Sequence, residues 1–258
     1  VCQPGQAWLD VDERGRRLLG EAYHRARRVE AVAAFEELVR RRPGDARAWW
    51  RYGHMLSDFG RHADSVDACN RALEFDPGLV EALIDRGLAR RRKGDFDAAL
   101  ADYDEALRIR PGDPAVLNYR GGLHTERDDS KRAFADLDEA VSLDPESVEA
   151  WSNRAAAYVR FGDPRRALAD CDRALALKAD YAEAYVNRAA AWRLLGDPER
   201  AMKACLSAIK AKSDNVEAWQ MRGVIHLERG ENDPALAALT QALKLRPDSA
   251  NALLNRGV

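Results

Sequence analysis

Small and large apolar residues recur along this chain with a long, constant spacing. Gly53, Gly87, Gly121, Ala155, Ala189, Gly223 and Gly257 stand 34 residues apart. So do Ala72, Ala106, Ala140, Ala174, Ala208 and Ala242. A third small column, Ala31, Ala99, Ala133, Ala167, Ala201 and Ala235, is interrupted only by Ser65. Large residues keep the same register: Trp49, Leu83, Leu117, Trp151, Tyr185, Trp219 in one column, and Leu73, Leu107, Val141, Leu175, Ile209, Leu243 in another. Pro43, Pro77, Pro111, Pro145 and Pro247 close the unit, with Ala179 and Ser213 in the same place. Several columns sharing one such period mark a repeat architecture.

Each unit reads as two helices. A first helix over about 148–161 stops at Gly162, whose missing Cβ suits a left-handed cap. Asp163 then caps the next N-terminus, and Pro164 opens a second helix where its absent N–H costs nothing. Gly196-Asp197-Pro198 repeats the signal; Gly60, Gly94 and Gly230 hold the same turn, and Asp128 is the exception. Small columns on both helices let an antiparallel pair pack closely. One pair cannot bury its apolar faces alone, so pairs must stack. The units are an irregular 12–45, then 46–79, 80–113, 114–147, 148–181, 182–215 and 216–249, with a truncated eighth at 250–258.

The pattern resembles the tetratricopeptide repeat. Trp219-Gln220-Met221-Arg222-Gly223 keeps the aromatic-to-glycine opening, Leu19-Gly20-Glu21-Ala22-Tyr23 the L-G-x-A-Y run, and Gly94 to Leu100 followed by Ala106-Leu107 and Pro111 the second helix. The first unit departs from it: the Leu19–Tyr23 run sits one residue late, which implies a deletion near Arg27. The resemblance implies an all-α fold, a right-handed superhelical α-solenoid forming one array over 1–258, with first helices lining a concave groove that takes a protein or peptide partner. Helical spacing puts Trp50, Ile84, Leu88, Asn118, Tyr119, Asn153, Asn187 and Met221 on that lining. Asn153, Asn187 and Asn255 share a column, as in the asparagine ladder of O-linked N-acetylglucosamine transferases, but Arg51, Asp85, Tyr119 and Met221 interrupt it. These amides either bond locally to a neighbouring helix or meet a peptide backbone, which one acceptor and two donors can serve. The columns that would hold the lysines of a chaperone-tail carboxylate clamp contain none, so no clamp is expected.

Charge changes the picture little. Lys plus Arg total 41 against 43 Asp plus Glu, a net −2 that argues against nucleic acid as partner. No apolar run is long enough for a membrane span. Arg86, Arg120, Arg154, Arg188, Arg222 and Arg256 form the most regular charged column. Counting eight residues to each side of the turn places Asp102, Asp136 and Asp170 opposite the first three. Ala204 and Ala238 face the next two. The column therefore reads either as internal ion pairs or as a stripe for an acidic partner.

His24, His54, His62, His124 and His226 are scattered, and neither metal-ligand spacing nor a phosphate or nucleophile motif occurs, so no cofactor and no catalysis are expected. Cys69, Cys171 and Cys205 fall in a core column with Phe35, Tyr103, Leu137 and Leu239, and are expected to be buried free thiols. The function expected is an interaction scaffold. The alternative is a substrate-presenting arm of a larger enzyme such as a glycosyltransferase or peptidase. A bacterial source is suggested by 34 Arg against seven Lys, and a cytoplasmic location by the absence of a disulfide pattern. The segment 251–258 is expected to fray or to be covered.

Overall fold

A computed structural model describes residues 28–247 of the chain; the Leu19–Tyr23 run, Cys2 and the expected eighth repeat lie outside the described residues. The described residues form thirteen α-helices and no strand. They are α1 (Arg28–Arg41), α2 (Ala46–Asp58), α3 (His62–Phe75), α4 (Val80–Lys93), α5 (Phe96–Ile109), α6 (Pro114–Glu126), α7 (Ser130–Leu143), α8 (Val148–Arg160), α9 (Pro164–Leu177), α10 (Ala182–Leu194), α11 (Pro198–Ala211), α12 (Val216–Glu228) and α13 (Asn232–Leu245). Two compact units divide the chain, one up to Val116 and one from Leu117. In each, consecutive helices pack as pairs. First helices also touch the next first helix: α2 meets α4 in the first unit, and α8 meets α10 and α10 meets α12 in the second. Each unit is thus an all-α stack of helix pairs with its first helices ranked along one side.

The turn chemistry follows from the residues. Gly60, Gly94, Gly162, Gly196 and Gly230 have φ between 72° and 85°, where an L side chain is strained. Asp163 accepts from the Arg166 N–H and Asp197 from the Arg200 N–H, so both cap the helices that Pro164 and Pro198 open. At the exceptional turn Asp128 itself takes the left-handed conformation, φ 59°, and Asp129, in the column of Asp163 and Asp197, caps through the Arg132 N–H as they do. The Asp128 carboxylate is held from both oxygens by Arg160, at 2.7 and 2.8 Å.

The large column closes the turns between pairs. Indole Nε1 of Trp49, Trp151 and Trp219 donates to the carbonyls of Pro43, Pro145 and Ser213, at 2.8 to 2.9 Å. The Tyr185 hydroxyl donates to the Ala179 carbonyl at 3.1 Å. Because the acceptor is backbone, the bond survives where proline is replaced, which explains how Ala179 and Ser213 fit the column.

Core packing matches sizes across most pairs, Gly53 against Cys69 being small on both sides. A Cβ on Gly87 would lie 2.5 Å from Tyr103, on Gly121 2.7 Å from Leu137, and on Gly223 2.6 Å from Leu239. Where the first column holds Ala155 and Ala189, the facing column holds the smaller Cys171 and Cys205, all fully buried. The three thiols are free, and burial pushes each up to about 12.

Candidate functional site

The first-helix side of the first unit centres on Asp85. Its Oδ2 accepts from Trp50 Nε1 at 2.6 Å and lies 3.0 Å from His54 Nδ1. The Asp85 side chain is 12% exposed and His54 56%, so the carboxylate anchors and the imidazole faces outward. The Asp85 hydrogen bond holds the His54 pKa above the usual histidine range, against the opposing effect of burial. Ile84 and Leu88 flank this cluster, half-buried. Beside Trp50 lies a hollow of about 340 Å³ with Arg47, Arg51 and Arg110 in its wall. Arg110 is engaged there, donating to Glu81 at 2.6 Å.

The same side of the second unit is built from neutral groups. Asn118 is 4% exposed, and its Oδ1 accepts from Asn153 Nδ2 at 2.9 Å. Asn187 Nδ2 donates to the Ser152 carbonyl at 2.9 Å and to its hydroxyl at 3.1 Å. The amide N–H groups of Asn153 and Asn187 are therefore engaged. Among the described residues, no donor meets their Oδ1 atoms. Tyr119 is half-buried. Met221 packs, partly buried, on the cluster of Ala189, Ala201, Cys205 and Ile225.

Of the expected lining residues, the structure brings Asn118 and Asn153 into direct contact. Trp50 is joined to Asp85, and Asn187 to Ser152. Helical spacing also puts His54, Asp85 and Ser152 on this side, but does not give the bonds that tie Asp85 to Trp50 and His54 and Ser152 to Asn187. The links share one geometry: Trp50–Asp85, Asn118–Asn153 and Ser152–Asn187 each span 35 residues. Each link joins one first helix to the following residue position on the next.

The arginine column turns inward. Arg86 donates to Asp102, with its shortest contact at 2.6 Å, Arg120 to Asp136 at 2.7 and 2.8 Å, and Arg154 to Asp170 at 2.8 and 2.9 Å. These are the three pairs obtained by counting from the turn. The carboxylates are 2%, 6% and 4% exposed, so they belong to the packed interior between helices. A second arm reaches back to the preceding pair: Arg86 to Asn70, Arg154 to Asp138 and Arg188 to Asp172.

Among the described residues no group of three or more His, Cys, Asp or Glu could hold a metal ion. No described helix is long and apolar enough to cross a membrane.

Comparisons with known proteins agree with this geometry. A 48-residue stretch is 44% identical to Tetratricopeptide repeat protein 14 of Mus musculus, covering 19% of this chain and 6% of that protein. The fold is similar to the APC/C hetero-tetramer Cut9-Hcn1, with a TM-score of 0.78 at 17% identity over 93% of this chain and 47% of that one. It is also similar to a tetratricopeptide repeat protein from Parabacteroides merdae, with a TM-score of 0.77 at 18% identity over 93% of this chain and 97% of that one. This chain accordingly spans under half of the matched Cut9-Hcn1 chain and a small part of the mouse protein. The family model described as "Tetratricopeptide repeat" matches residues 29–80, 84–148 and 152–216, and a second, "TPR repeat", matches 223–258. With most of its length matched and helix pairs stacked through the described residues of both units, the chain belongs to the tetratricopeptide repeat family.

Proposed function

We propose that the first-helix side of each unit binds an extended segment or a helix of a partner protein. The tetratricopeptide repeat fold supports a protein-interaction scaffold in general, and an all-α array of this family is typically non-catalytic. In the first unit the contacts come from Trp50, Ile84 and Leu88. In the second they come from Tyr119, Asn153, Asn187 and Met221, with Asn118 fixing the orientation of Asn153.

The observation that carries this reading is the state of the two amides. Asn153 and Asn187 each spend a donor on the preceding first helix. That bond holds the side chain in place and leaves its Oδ1 as an oriented acceptor. A backbone N–H of an extended segment needs such an acceptor, and an amide already held costs less side-chain entropy to use. Half-buried Ile84 and Leu88 supply apolar contact in the other unit.

The test begins with peptides selected from a random displayed library against the 258-residue chain. Affinity is then measured by fluorescence anisotropy for three variants. Asn153→Ala with Asn187→Ala should weaken second-unit binders by roughly 1–3 kcal/mol, the range for a lost buried hydrogen bond. Leu88→Glu should do the same to first-unit binders. Glu199→Lys, on an exposed second-helix position, is the control. Peptides that bind every variant equally well, with circular dichroism unchanged, would exclude the first-helix side as the site.

A further inference from the structure

Each paired arginine of the first-helix column lies between two second helices. One carboxylate position stands sixteen residues ahead on its own pair, the other sixteen behind on the preceding pair. Arg154 shows both arms filled, by Asp170 and by Asp138 at 2.9 Å. Arg188 keeps only the rear arm, Asp172 at 2.8 Å, because Ala204 stands ahead of it. Arg222 has neither. Ala238 stands ahead and Leu206 behind. Its Nε is buried with no hydrogen-bond partner among the described residues, and its guanidinium lies over Trp219, with Cζ 5.4 Å from the ring centroid. A guanidinium cannot shed its proton to escape burial, and an unmet buried donor costs more than a bond of average strength contributes. At the rear position, where Arg154 and Arg188 find Asp138 and Asp172, Leu206 is 48% exposed.

We propose that the surface around Arg222, between α11 and α13, docks an acidic segment of a partner protein. One carboxylate of that segment serves Arg222 from the exposed rear side, where Asp138 and Asp172 serve Arg154 and Arg188, and an adjacent apolar side chain covers Leu206. Charge complementarity selects this occupant. The column pairs with carboxylates wherever the chain provides them, and a guanidinium engages a carboxylate through two parallel bonds. The exposed leucine beside it rewards a peptide over a free anion, which brings no apolar surface. Arg222 and Leu206 are not among the residues proposed above to contact a partner, so this surface serves as a second contact.

The test uses the whole chain with ¹⁵N-labelled arginine. The Arg222 Nε–Hε resonance is assigned by its loss in Arg222→Lys. The probes are the capped pentapeptide Ala-Leu-Asp-Leu-Ala, its Asn counterpart, sodium acetate and sodium phosphate. The Asp peptide should shift the resonance at about one tenth of the concentration that acetate or phosphate needs, and the Asn peptide should lose about tenfold. Leu206→Asp, on an exposed position equivalent to Asp138 and Asp172, should abolish the shift and raise the melting temperature. Ala238→Asp, which copies the Asp170 position, is the second variant and should do the same. Acetate or phosphate acting as well as the peptide would reduce the site to general anion binding and overturn the proposal. A peptide shift that survives in both aspartate variants, or an unmoved resonance, would overturn it as well.

Discussion

Asp85-Arg86-Gly87 on α4 and Asn153-Arg154-Ala155 on α8 occupy the same register in different units. In both, the first residue reaches to the preceding first helix, Asp85 to Trp50 and Asn153 to Asn118. In both, the second reaches to a carboxylate on its own pair, Asp102 or Asp170. The third faces the second helix. There Gly87 leaves room for the Tyr103 ring, while Ala155 is in register with the smaller Cys171. The geometry is common and the chemistry is not. Helix stacking decides which positions meet. Residue choice then decides whether the link is charged or neutral, and which partner of the core contact carries the bulk.

The middle residue should be where the two regions agree, and it carries the largest effect. Asp102→Ala and Asp170→Ala each leave a guanidinium beside a vacated, nearly buried site, and each should lose about 3–5 kcal/mol in urea unfolding. Asp102 should lie at the upper end, since Arg90 also donates to it at 2.8 Å. A loss below about 1 kcal/mol would place these pairs with ordinary surface ion pairs and dissolve the agreement.

The third residue should separate the regions. Gly87→Ala drives a Cβ into Tyr103 and should cost roughly 1–3 kcal/mol, and Tyr103→Cys in the same chain should recover much of it. Cys171→Tyr should cost a similar amount in the other unit, and Ala155→Gly should relieve it. If each double variant is simply the sum of its singles, size matching across the pair is not the rule.

The first residue gives smaller effects. Asn153→Ala removes one neutral hydrogen bond and should cost about 0.5–1.5 kcal/mol, independent of pH. Its counterpart in the first unit should depend on pH, weakly, because His54 is more than half exposed. Asp85 raises the His54 pKa in the folded chain. The resulting stability is therefore fully present below the unfolded histidine value and is lost as pH rises through the folded one. His124, in the second unit, is lowered by burial. Its contribution has the opposite sign, present above the unfolded value and lost as pH falls through the folded one. Ring-proton NMR titration should find His54 above and His124 below about 6.5, and Asp85→Asn should bring His54 down while leaving His124 unmoved. A His54 that titrates at or below the ordinary value would mean that Asp85 does not hold it in solution.

Much of the fold was legible because repetition multiplies weak signals. One glycine at a turn says little, but Gly60, Gly94, Gly162, Gly196 and Gly230 in one column specify a left-handed cap. The three arginine–aspartate pairs were readable for a similar reason: residues equally distant from a tight turn face each other across an antiparallel pair. The candidate site was less readable. Trp50 stood out as a lining residue, but its tie to Asp85 did not, because that bond runs between helices of different pairs. Asn118 was read among the lining residues and lies 4% exposed beneath Asn153.

Spacing, turn residues and small columns determined the helix pairs, their caps and the faces that meet within each pair. All of these depend on contacts a few to sixteen residues apart, whose geometry an α-helix and a tight turn dictate. The 35-residue links between first helices, the return of the Trp and Tyr donors to turn carbonyls, and the unfilled place beside Arg222 came only with three-dimensional packing. They depend on how one pair settles against the next. A rotation of a few degrees there moves a polar atom into or out of the roughly 3 Å that a hydrogen bond requires, and no periodicity along the chain encodes that rotation.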